Sequence, residues 1–422
     1  MVVCGDPVAA VMAGPAIRAV ELARALVAAG HPVTVAAPDR SEHAATGVPV
    51  RVWATREQLA AIVAEADVII VFAPVLADHL WMADLGCPLV VDAYDPGLLE
   101  TLESRRGDAP NAQRDWVADA SRHLMAPLAV ADVVLVASER QRLLVLGMLS
   151  AAARLSPRVV AEDPGLDAMV RIVPFGLPEE PPDDVASPLR WPLGPFDDDS
   201  FVALWGGGLY PWLDPLTLIE AVGRIPDARI GAAFLAGPHP TPAVGAMPLV
   251  EQARRRVAEL GLHDRVIFVD HWVPYAERGA WLVGADVGVS LHHRHVETEL
   301  SFRTRVLDYL WAGLPVLCSA GDVMAEDVAA LDLGTVVDPG DVDAVAGALV
   351  GLAAETPADR EARRSRTAAE GLRRRWSVVT GPLVAACADP SLAPDRRVAE
   401  SQARGPVGAL RRAFRVARSA GT

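Results

Sequence analysis

Short apolar runs alternate along this chain with longer segments in which apolar residues recur at helical spacing. In residues 16–29 charged side chains punctuate that spacing, and Gly30 follows in the position usual for a helix-ending glycine. Runs such as residues 67–72 show no polar alternation, which is typical of strands buried on both faces of a parallel sheet. The pattern predicts a doubly wound α/β fold. The strands predicted in the first half are residues 1–4, 32–37, 50–53, 67–72, 88–91, 133–136 and 171–173.

A second series of strands and helices follows an interruption between Pro178 and Ser200. That stretch is rich in proline and aspartate and has no periodicity, which indicates a linker. The second series predicts strands at residues 201–205, 232–235, 266–269, 286–290, 316–318 and 335–337. It predicts helices at residues 215–224, 249–260, 341–354 and 357–374, and one more within 300–312. The predicted organisation is a first Rossmann-like domain over residues 1–180, a linker over 181–199, a second domain over 200–375, a helix within 376–390 that crosses back, and a tail over 391–422.

The length of the chain agrees with two domains, and its charge narrows the class of ligand. At roughly 150 residues per domain, 422 residues predict two domains and a tail. The net charge of −15 argues against a general nucleic-acid-binding protein, which needs a basic face. The chain contains no lysine, so any contact to a phosphate must use arginine, histidine, a helix end or backbone N–H groups.

The cysteines and the two termini bear on localisation. Four widely spaced cysteines without a CxxC pair indicate buried structural thiols in a reducing compartment and no metal site. The N-terminus lacks the features of a signal peptide, and no long uncharged apolar run is present, so we expect a cytoplasmic protein. Residues 410–418 place four arginines around apolar residues. A disordered terminus is the preferred interpretation, with weak contact to an anionic membrane surface as the alternative.

Ligands of doubly wound folds bind at the carboxyl ends of the strands, so the loops there are the candidate sites. Gly206, Gly207 and Gly208 directly follow the strand at 201–205, and three consecutive glycines allow backbone N–H groups to approach a phosphate. Gly14 precedes the first helix without a GxGxxG pattern, which argues against a dehydrogenase.

Residues 292–308 concentrate histidines, arginines and acids after the strand at 286–290. Ser301, Phe302, Arg303 and Arg305 lie where a helix is predicted to begin, and a helix N-terminus beside arginine predicts an anion site. Glu297 and Glu299 can be ordinary charges complementing the helix dipole. His292 and His295 have no further ligand at a paired spacing, so we expect no metal.

A third candidate loop carries Asp92, Tyr94 and Asp95 after the strand at 88–91. The aspartates can belong to ordinary turn chemistry, or can place a carboxylate at the site. The residues leave both interpretations open.

Four segments together resemble the retaining family 4 glycosyltransferases of the GT-B class: residues 14–35, 171–178, 261–277 and 307–319. The resemblance extends to about Ala388. It implies the GT-B fold, with two facing Rossmann-like domains, and transfer of a sugar from a nucleotide-diphosphate sugar with retention of anomeric configuration. It also implies no cofactor, no obligatory metal, a donor site in the second domain and an acceptor site mainly in the first. The acceptor can be a small molecule, a glycan or a lipid-linked sugar.

The chain departs from this family at its charged positions. The family's second glutamate falls on Asp308, which the resemblance implies would hold the nucleotide ribose, and its first falls on Leu300, one residue from Glu299. The family's two basic diphosphate ligands fall on Gly208 and Leu213. We therefore expect Arg303, Arg305 or Arg294 to supply the missing positive charge.

These inferences give one set of candidate site residues. The predicted catalytic residues are Glu299, Asp92 and Asp95. The predicted donor-binding residues are Gly206, Gly207, Gly208, Gly237, Arg294, Ser301, Phe302, Arg303, Arg305 and Asp308, and the acceptor-side residues are Gly14, Arg18 and Tyr94.

Two alternative functions stay open at this point. One is a nucleotide-sugar epimerase of the same architecture, which would use the histidines at 292–295. The other is a catalytically degenerate GT-B binding module, which an Arg303 side chain directed away from the donor would favour.

Overall fold

The computed structural model describes residues 1–42, 46–95, 97–240 and 247–397. The chain forms two compact units. Among the described residues, the first comprises those of Met1–Ala9 and Gly14–Pro174 together with residues 380–397, and the second comprises those of Ala10–Ala13 and Phe175–Val379. The predicted domain boundary at residue 180 and the predicted linker at 181–199 thus both lie within the second unit. The basic segment at 410–418 lies outside the described residues.

The first unit is built on a seven-stranded parallel sheet in the order β3-β2-β1-β4-β5-β6-β7. Its central strands are almost entirely buried, as their unbroken apolar runs predict. The strands are β1 Val2–Val3, β2 Val35–Pro38, β3 Val50–Trp53, β4 Ile69–Phe72, β5 Leu89–Asp92, β6 Val133–Val136 and β7 Val170–Ile172.

Helices connect these parallel strands. They are α1 Gly14–Ala28, α2 Arg56–Val63, α3 Ala73–Asp78, α4 Gly97–Ser104, α5 Pro110–Leu128, α6 Glu139–Ala151 and α7 Pro157–Glu162, with a 3₁₀ turn at Leu80–Asp84. The start of α2 follows directly from sequence, because Thr55 and Gln58 form a reciprocal capping box there. Gly30 has φ +91° just after α1, a left-handed conformation that suits glycine.

The second unit has a six-stranded parallel sheet in the order β10-β9-β8-β11-β12-β13. Its strands are β8 Phe201–Trp205, β9 Ile230–Leu235, β10 Val266–Val269, β11 Val287–Ser290, β12 Val316–Ser319 and β13 Gly334–Val337. Its helices are α8 Pro215–Arg224, α9 Pro248–Leu260, α10 Arg278–Val283, α11 Val296–Leu300, α12 Thr304–Trp311, α13 Val323–Ala330, α14 Val342–Ala353, α15 Pro357–Arg373 and α16 Trp376–Val379. The prediction of two doubly wound parallel sheets is confirmed.

The helix predicted within residues 300–312 is divided in two. Ser301 and Phe302 lie outside both α11 and α12, and Arg303 is the residue that precedes α12. The Ser301 hydroxyl donates to the Thr298 carbonyl at 3.1 Å, and the Arg303 guanidinium reaches back to the Glu297 carboxylate. These side-chain contacts join residues on either side of the break between α11 and α12. Hydrophobic periodicity carries no signal for such contacts, so it predicts one continuous helix.

After α16 the chain continues into the first unit with α17 Gly381–Ala388. The segment beyond α17 is held by buried ion pairs, one between Asp395 and Arg154 and one between Arg396 and Asp132. No helix in the described part of the chain is long and apolar enough to cross a membrane.

Candidate functional site

Gly206, Gly207 and Gly208, called here the triglycine loop, follow β8 at the carboxyl edge of the second sheet. Gly206 N–H donates to the Tyr309 hydroxyl at 2.9 Å, and a Cβ added there would lie 3.4 Å from the Tyr309 ring. Gly207 has φ +97°, a conformation that side chains other than glycine rarely adopt. A Cβ on Gly208 would meet the Tyr210 ring at 2.9 Å. Local packing and backbone conformation therefore account for part of this glycine run.

Tyr309, on α12, ties this loop to the sheet. Its hydroxyl donates to the Val289 carbonyl at 2.8 Å, and the Leu204 carbonyl lies 3.1 Å away. Burial raises the pKa of Tyr309 to about 12, so the phenol stays protonated at neutral pH. The triglycine loop is consequently attached to β8, β11 and α12 through one side chain.

Arg305 lies on the same helix and faces the triglycine loop. Its Nη2 donates to the Gly208 carbonyl at 3.0 Å, and its guanidinium carbon is 4.9 Å from the centre of the Trp205 ring. Its Nη1 is buried without a hydrogen-bond partner, and within the described ranges no carboxylate lies at ion-pair distance from it. Burial lowers the pKa of Arg305, and the nearby Arg303 charge adds to the shift. A desolvated cation without a counter-ion is costly, which makes this place favourable for an anion.

Arg303, predicted to serve the same purpose, already has a counter-ion. Its Nη1 and Nη2 donate to the two Glu297 carboxylate oxygens at 2.9 and 2.7 Å, and Glu297 is fully buried. Its Nε lies 3.6 Å from an Asp322 oxygen. Arg294 is different again: its side chain is 80% exposed and 3.6 Å from Asp338. Of the three arginines predicted to supply positive charge, Arg305 is the one whose charge has no carboxylate partner among the described residues.

His292 and His295 belong to the same buried network, whereas the His293 side chain is 56% exposed. His292 Nε2 lies 3.3 Å from Asp322, and His295 Nδ1 lies 3.4 Å from Glu297 while accepting the Thr298 N–H that begins α11. No group of three or more His, Cys, Asp or Glu side chains that could hold a metal occurs in the described part of the chain. From sequence, Glu297 can be an ordinary charge at a helix terminus, and Asp322 lies too far along the chain to be associated with it. Glu297 is six residues from Arg303, outside the i,i+3 and i,i+4 spacings that signal pairing.

The remaining predicted donor residues have varied surroundings. Asp308 accepts a hydrogen bond from Arg278 Nε at 2.9 Å, with a side chain that is 35% exposed. Ser301 is buried, Phe302 is half-buried and Glu299 is exposed on α11. A Cβ on Gly237 would lie 2.1 Å from the His271 backbone, so this glycine is required where the loops after β9 and β10 meet.

In the first unit, the predicted catalytic Asp92 and the predicted acceptor-side Arg18 bind each other. Arg18 Nε and Nη2 donate to the two Asp92 oxygens at 2.6 and 2.9 Å. The remaining guanidinium contacts are to the Val173 and Pro174 carbonyls at 2.8 and 3.0 Å. Arg18 is completely buried, so this clamp connects α1 to the carboxyl end of β5 and to the segment after β7.

Tyr94 covers the same clamp. The Arg18 guanidinium carbon is 4.6 Å from the Tyr94 ring centre, and a Cβ on Gly14 would lie 3.6 Å from the Tyr94 hydroxyl. Burial raises the pKa of Tyr94 well above its usual range. Asp95 follows at a half-buried position. The structure thus brings Gly14, Arg18, Asp92 and Tyr94 together, while their catalytic or acceptor roles stay predictions.

Comparisons with known proteins agree with this architecture. Residues 201–355, within the second unit, match the model of a family described as "Glycosyl transferases group 1". No curated protein matches the chain.

Several solved structures are similar over almost their whole length. Sucrose-phosphate synthase from Thermosynechococcus elongatus is 17% identical with a TM-score of 0.66, and the match covers 92% of this chain and 97% of that one. HepE from Anabaena, in complex with UDP and glucose, is 17% identical with a TM-score of 0.63, covering 92% and 99%. The α,α-trehalose-phosphate synthase (UDP-forming) from Burkholderia vietnamiensis is 14% identical with a TM-score of 0.61, covering 91% and 97%. At these identities the likeness establishes the fold, and the predicted GT-B class is confirmed.

Proposed function

We propose that this protein is a glycosyltransferase that moves a sugar from a nucleotide-diphosphate sugar to an acceptor hydroxyl with retention of anomeric configuration. The single observation that carries the proposal is Arg305, a desolvated cation without a carboxylate partner in the described structure, beside the triglycine loop. It lies within the range that matches a glycosyltransferase family model. A diphosphate is the anion that this reaction would bring to such a place.

The chemistry needs donors preset around the leaving group. As the bond between the anomeric carbon and the diphosphate breaks, negative charge develops on the diphosphate oxygens. The acceptor oxygen forms the new bond, and its proton leaves with the diphosphate. Arg305 Nη1 and the backbone of the triglycine loop would stabilise that charge, since Arg305 is fixed between Trp205 and Gly208 before the ligand arrives.

The proposed donor is a nucleoside-diphosphate sugar, with uridine as the first base to test. HepE is in complex with UDP in two of the similar structures, and the similar trehalose-phosphate synthase is UDP-forming. We propose no cofactor beyond the donor. Glu299, Asp92 and Asp95 remain the proposed catalytic residues, and the acceptor is proposed only by class, as a small molecule, glycan or lipid-linked sugar.

A second candidate is a GT-B module that binds a sugar nucleotide without transferring the sugar. The pairing of Arg303 with Glu297 favours it, because Arg303 is then unavailable to the diphosphate. The epimerase alternative has no such support. His292 and His295 are buried beside the Asp322 and Glu297 carboxylates at 3.3 and 3.4 Å, and of the three histidines only His293 is largely exposed.

Thermal unfolding with nucleotides tests the proposal. Wild-type protein would be heated with UDP, GDP or ADP and with UDP-glucose, beside Arg305→Gln and a control, Arg254→Gln. Arg254, on α9, likewise lies over an aromatic ring, that of Phe268, but it has a carboxylate partner, Asp270. At one hundred times the dissociation constant a ligand adds about 2.7 kcal/mol of stability.

We expect one nucleotide series to raise the melting temperature of the wild type and of Arg254→Gln but not of Arg305→Gln. Absence of any stabilisation in the wild type would contradict nucleotide binding altogether. Stabilisation by a sugar nucleotide with neither hydrolysis nor transfer, across a panel of acceptors, would favour the binding module over the enzyme.

A further inference from the structure

Arg278, at the start of α10, is unusually fixed for an arginine near the surface. Its guanidinium carbon lies 3.6 Å from the Tyr275 ring centre and 4.3 Å from the Trp311 ring centre. Its Nη1 donates to the Tyr275 carbonyl at 2.5 Å, and its side chain is only 11% exposed. Its conformational freedom is therefore already restricted, whether or not any partner is present.

This fixed guanidinium holds only half of the Asp308 carboxylate. Nε donates to Oδ1 at 2.9 Å, and in the described part of the chain no other hydrogen bond or ion pair engages the Asp308 carboxylate. Arginine–carboxylate pairs frequently use two parallel hydrogen bonds, as Arg303 and Glu297 do. Here Oδ2 keeps its full capacity to accept hydrogen bonds from a ligand.

Asp308 lies on the same face of α12 as Arg305. The two residues are three positions apart, which places their Cβ atoms about 5–6 Å from each other on one side of a helix. A cation that binds phosphate and, one turn away, a carboxylate that accepts from hydroxyls match the spacing of a phosphate and its adjacent ribose.

We propose that Arg278 is a positioning residue, which orients the Asp308 carboxylate to accept hydrogen bonds from the two hydroxyls of the donor ribose. The inference rests on the proposed function, because it takes a nucleotide as the ligand of Arg305. Arg278 itself does not contact the nucleotide. It acts by pinning Oδ1, so that the short aspartate side chain presents Oδ2 in one orientation.

The alternative is a purely structural ion pair. A partly exposed pair of this kind contributes at most about 1 kcal/mol to stability. Removing it would then weaken the binding of every nucleotide equally or not at all. The two explanations differ in whether the effect depends on the ribose hydroxyls.

The test compares each nucleoside diphosphate with its 2′,3′-dideoxy form. UDP, GDP and ADP and their dideoxy analogues would be titrated calorimetrically into full-length wild type, Arg278→Gln, Arg278→Lys and Asp308→Asn, with Arg254→Gln as the control. We expect the wild type and the control to bind one ribonucleotide about tenfold more tightly than its dideoxy form. In Arg278→Gln the ribonucleotide should lose most of that advantage, while the dideoxy affinity changes less than twofold.

Arg278→Lys is included in case Arg278→Gln does not fold, because it changes the side chain less. Lysine keeps the charge but lacks the planar fork, so it should retain part of the preference for the ribonucleotide. Adding Asp308→Asn to Arg278→Gln should remove only the small preference for the ribonucleotide that Arg278→Gln leaves, because Arg278 acts through the Asp308 carboxylate.

Equal losses for the ribo and dideoxy forms, or unchanged discrimination in Arg278→Gln, would overturn the positioning role while leaving nucleotide binding intact. If the wild type binds none of the six nucleotides, the proposed function itself is wrong, and the inference fails with it. The two failures are thereby distinguishable.

Discussion

Arg18 in the first unit and Arg305 in the second invite comparison. Each has its guanidinium beside an aromatic ring near the carboxyl end of a parallel strand, Tyr94 for Arg18 and Trp205 for Arg305. The Arg18 guanidinium donates two hydrogen bonds to the Asp92 carboxylate and two to backbone carbonyls, so its charge has a counter-ion. Arg305 has one carbonyl and a buried, unpartnered Nη1.

The difference separates a structural arginine from one that is ready for a ligand. Burial alone does not distinguish them, because Arg18 is completely buried and Nη1 of Arg305 is buried as well. The distinguishing feature is charge compensation within the same unit. A buried cation whose counter-ion is supplied by the fold stabilises the fold, whereas one without a counter-ion costs stability until an anion binds.

The largest expected effect is at Asp92. Replacing Asp92 with Asn leaves the Arg18 charge buried without a carboxylate, which should destabilise the protein by about 3–5 kcal/mol. Urea unfolding measures this as a lower midpoint with an unchanged slope. The double variant Arg18→Met, Asp92→Leu should recover part of the loss, though the carbonyls of Val173 and Pro174 stay without their donor. A loss below about 1 kcal/mol for Asp92→Asn would show that the clamp is not structural.

An intermediate effect is expected at Tyr309, which links the triglycine loop to the sheet. Tyr309→Phe leaves the Gly206 N–H and the Val289 carbonyl without this partner and should cost about 1–3 kcal/mol. It should also change the alkaline stability profile. Because the folded-state pKa is about 12 and the usual value is 10, the contribution is complete below pH 10 and is lost as pH rises through 12.

Urea unfolding of Tyr309→Phe and wild type between pH 9 and pH 12 measures that contribution. Tyr94 and Cys4 also have raised pKa values, so both proteins should lose stability over this range. The wild type should lose more of it than the variant. Parallel profiles would contradict the assignment of the shift to Tyr309.

The smallest expected effect is at Arg305 in the absence of nucleotide. Arg305→Met removes an uncompensated buried cation and keeps an apolar side chain against Trp205, so stability should stay within about 1 kcal/mol of the wild type or rise. Urea unfolding of the ligand-free protein is the measurement. A loss of stability comparable to that of Asp92→Asn would mean that Arg305 stabilises the fold as Arg18 does, which would contradict the distinction drawn between the two arginines.

Much of the fold was predictable because it depends on local order along the chain. Strands β3, β6, β8 and β10 and helix α8 have the predicted bounds. The unbroken apolar runs of β6, β8 and β10, and the proline after an N-capping aspartate at α8, are local signals. The division of the helix around Ser301 was not predictable, because it depends on how Glu297 meets Arg303.

By itself, the sequence determined that two parallel sheets form, where their strands lie, and that arginine rather than lysine must meet any phosphate. It also placed the candidate charges at the carboxyl ends of the strands. Only the tertiary structure decided which charge pairs with which. Arg18 meets an aspartate 74 residues away, Arg303 a nearby glutamate, and Arg305 no carboxylate among the described residues. The physical reason is that hydrophobic periodicity is a local property of the chain, whereas charge compensation depends on distances in space.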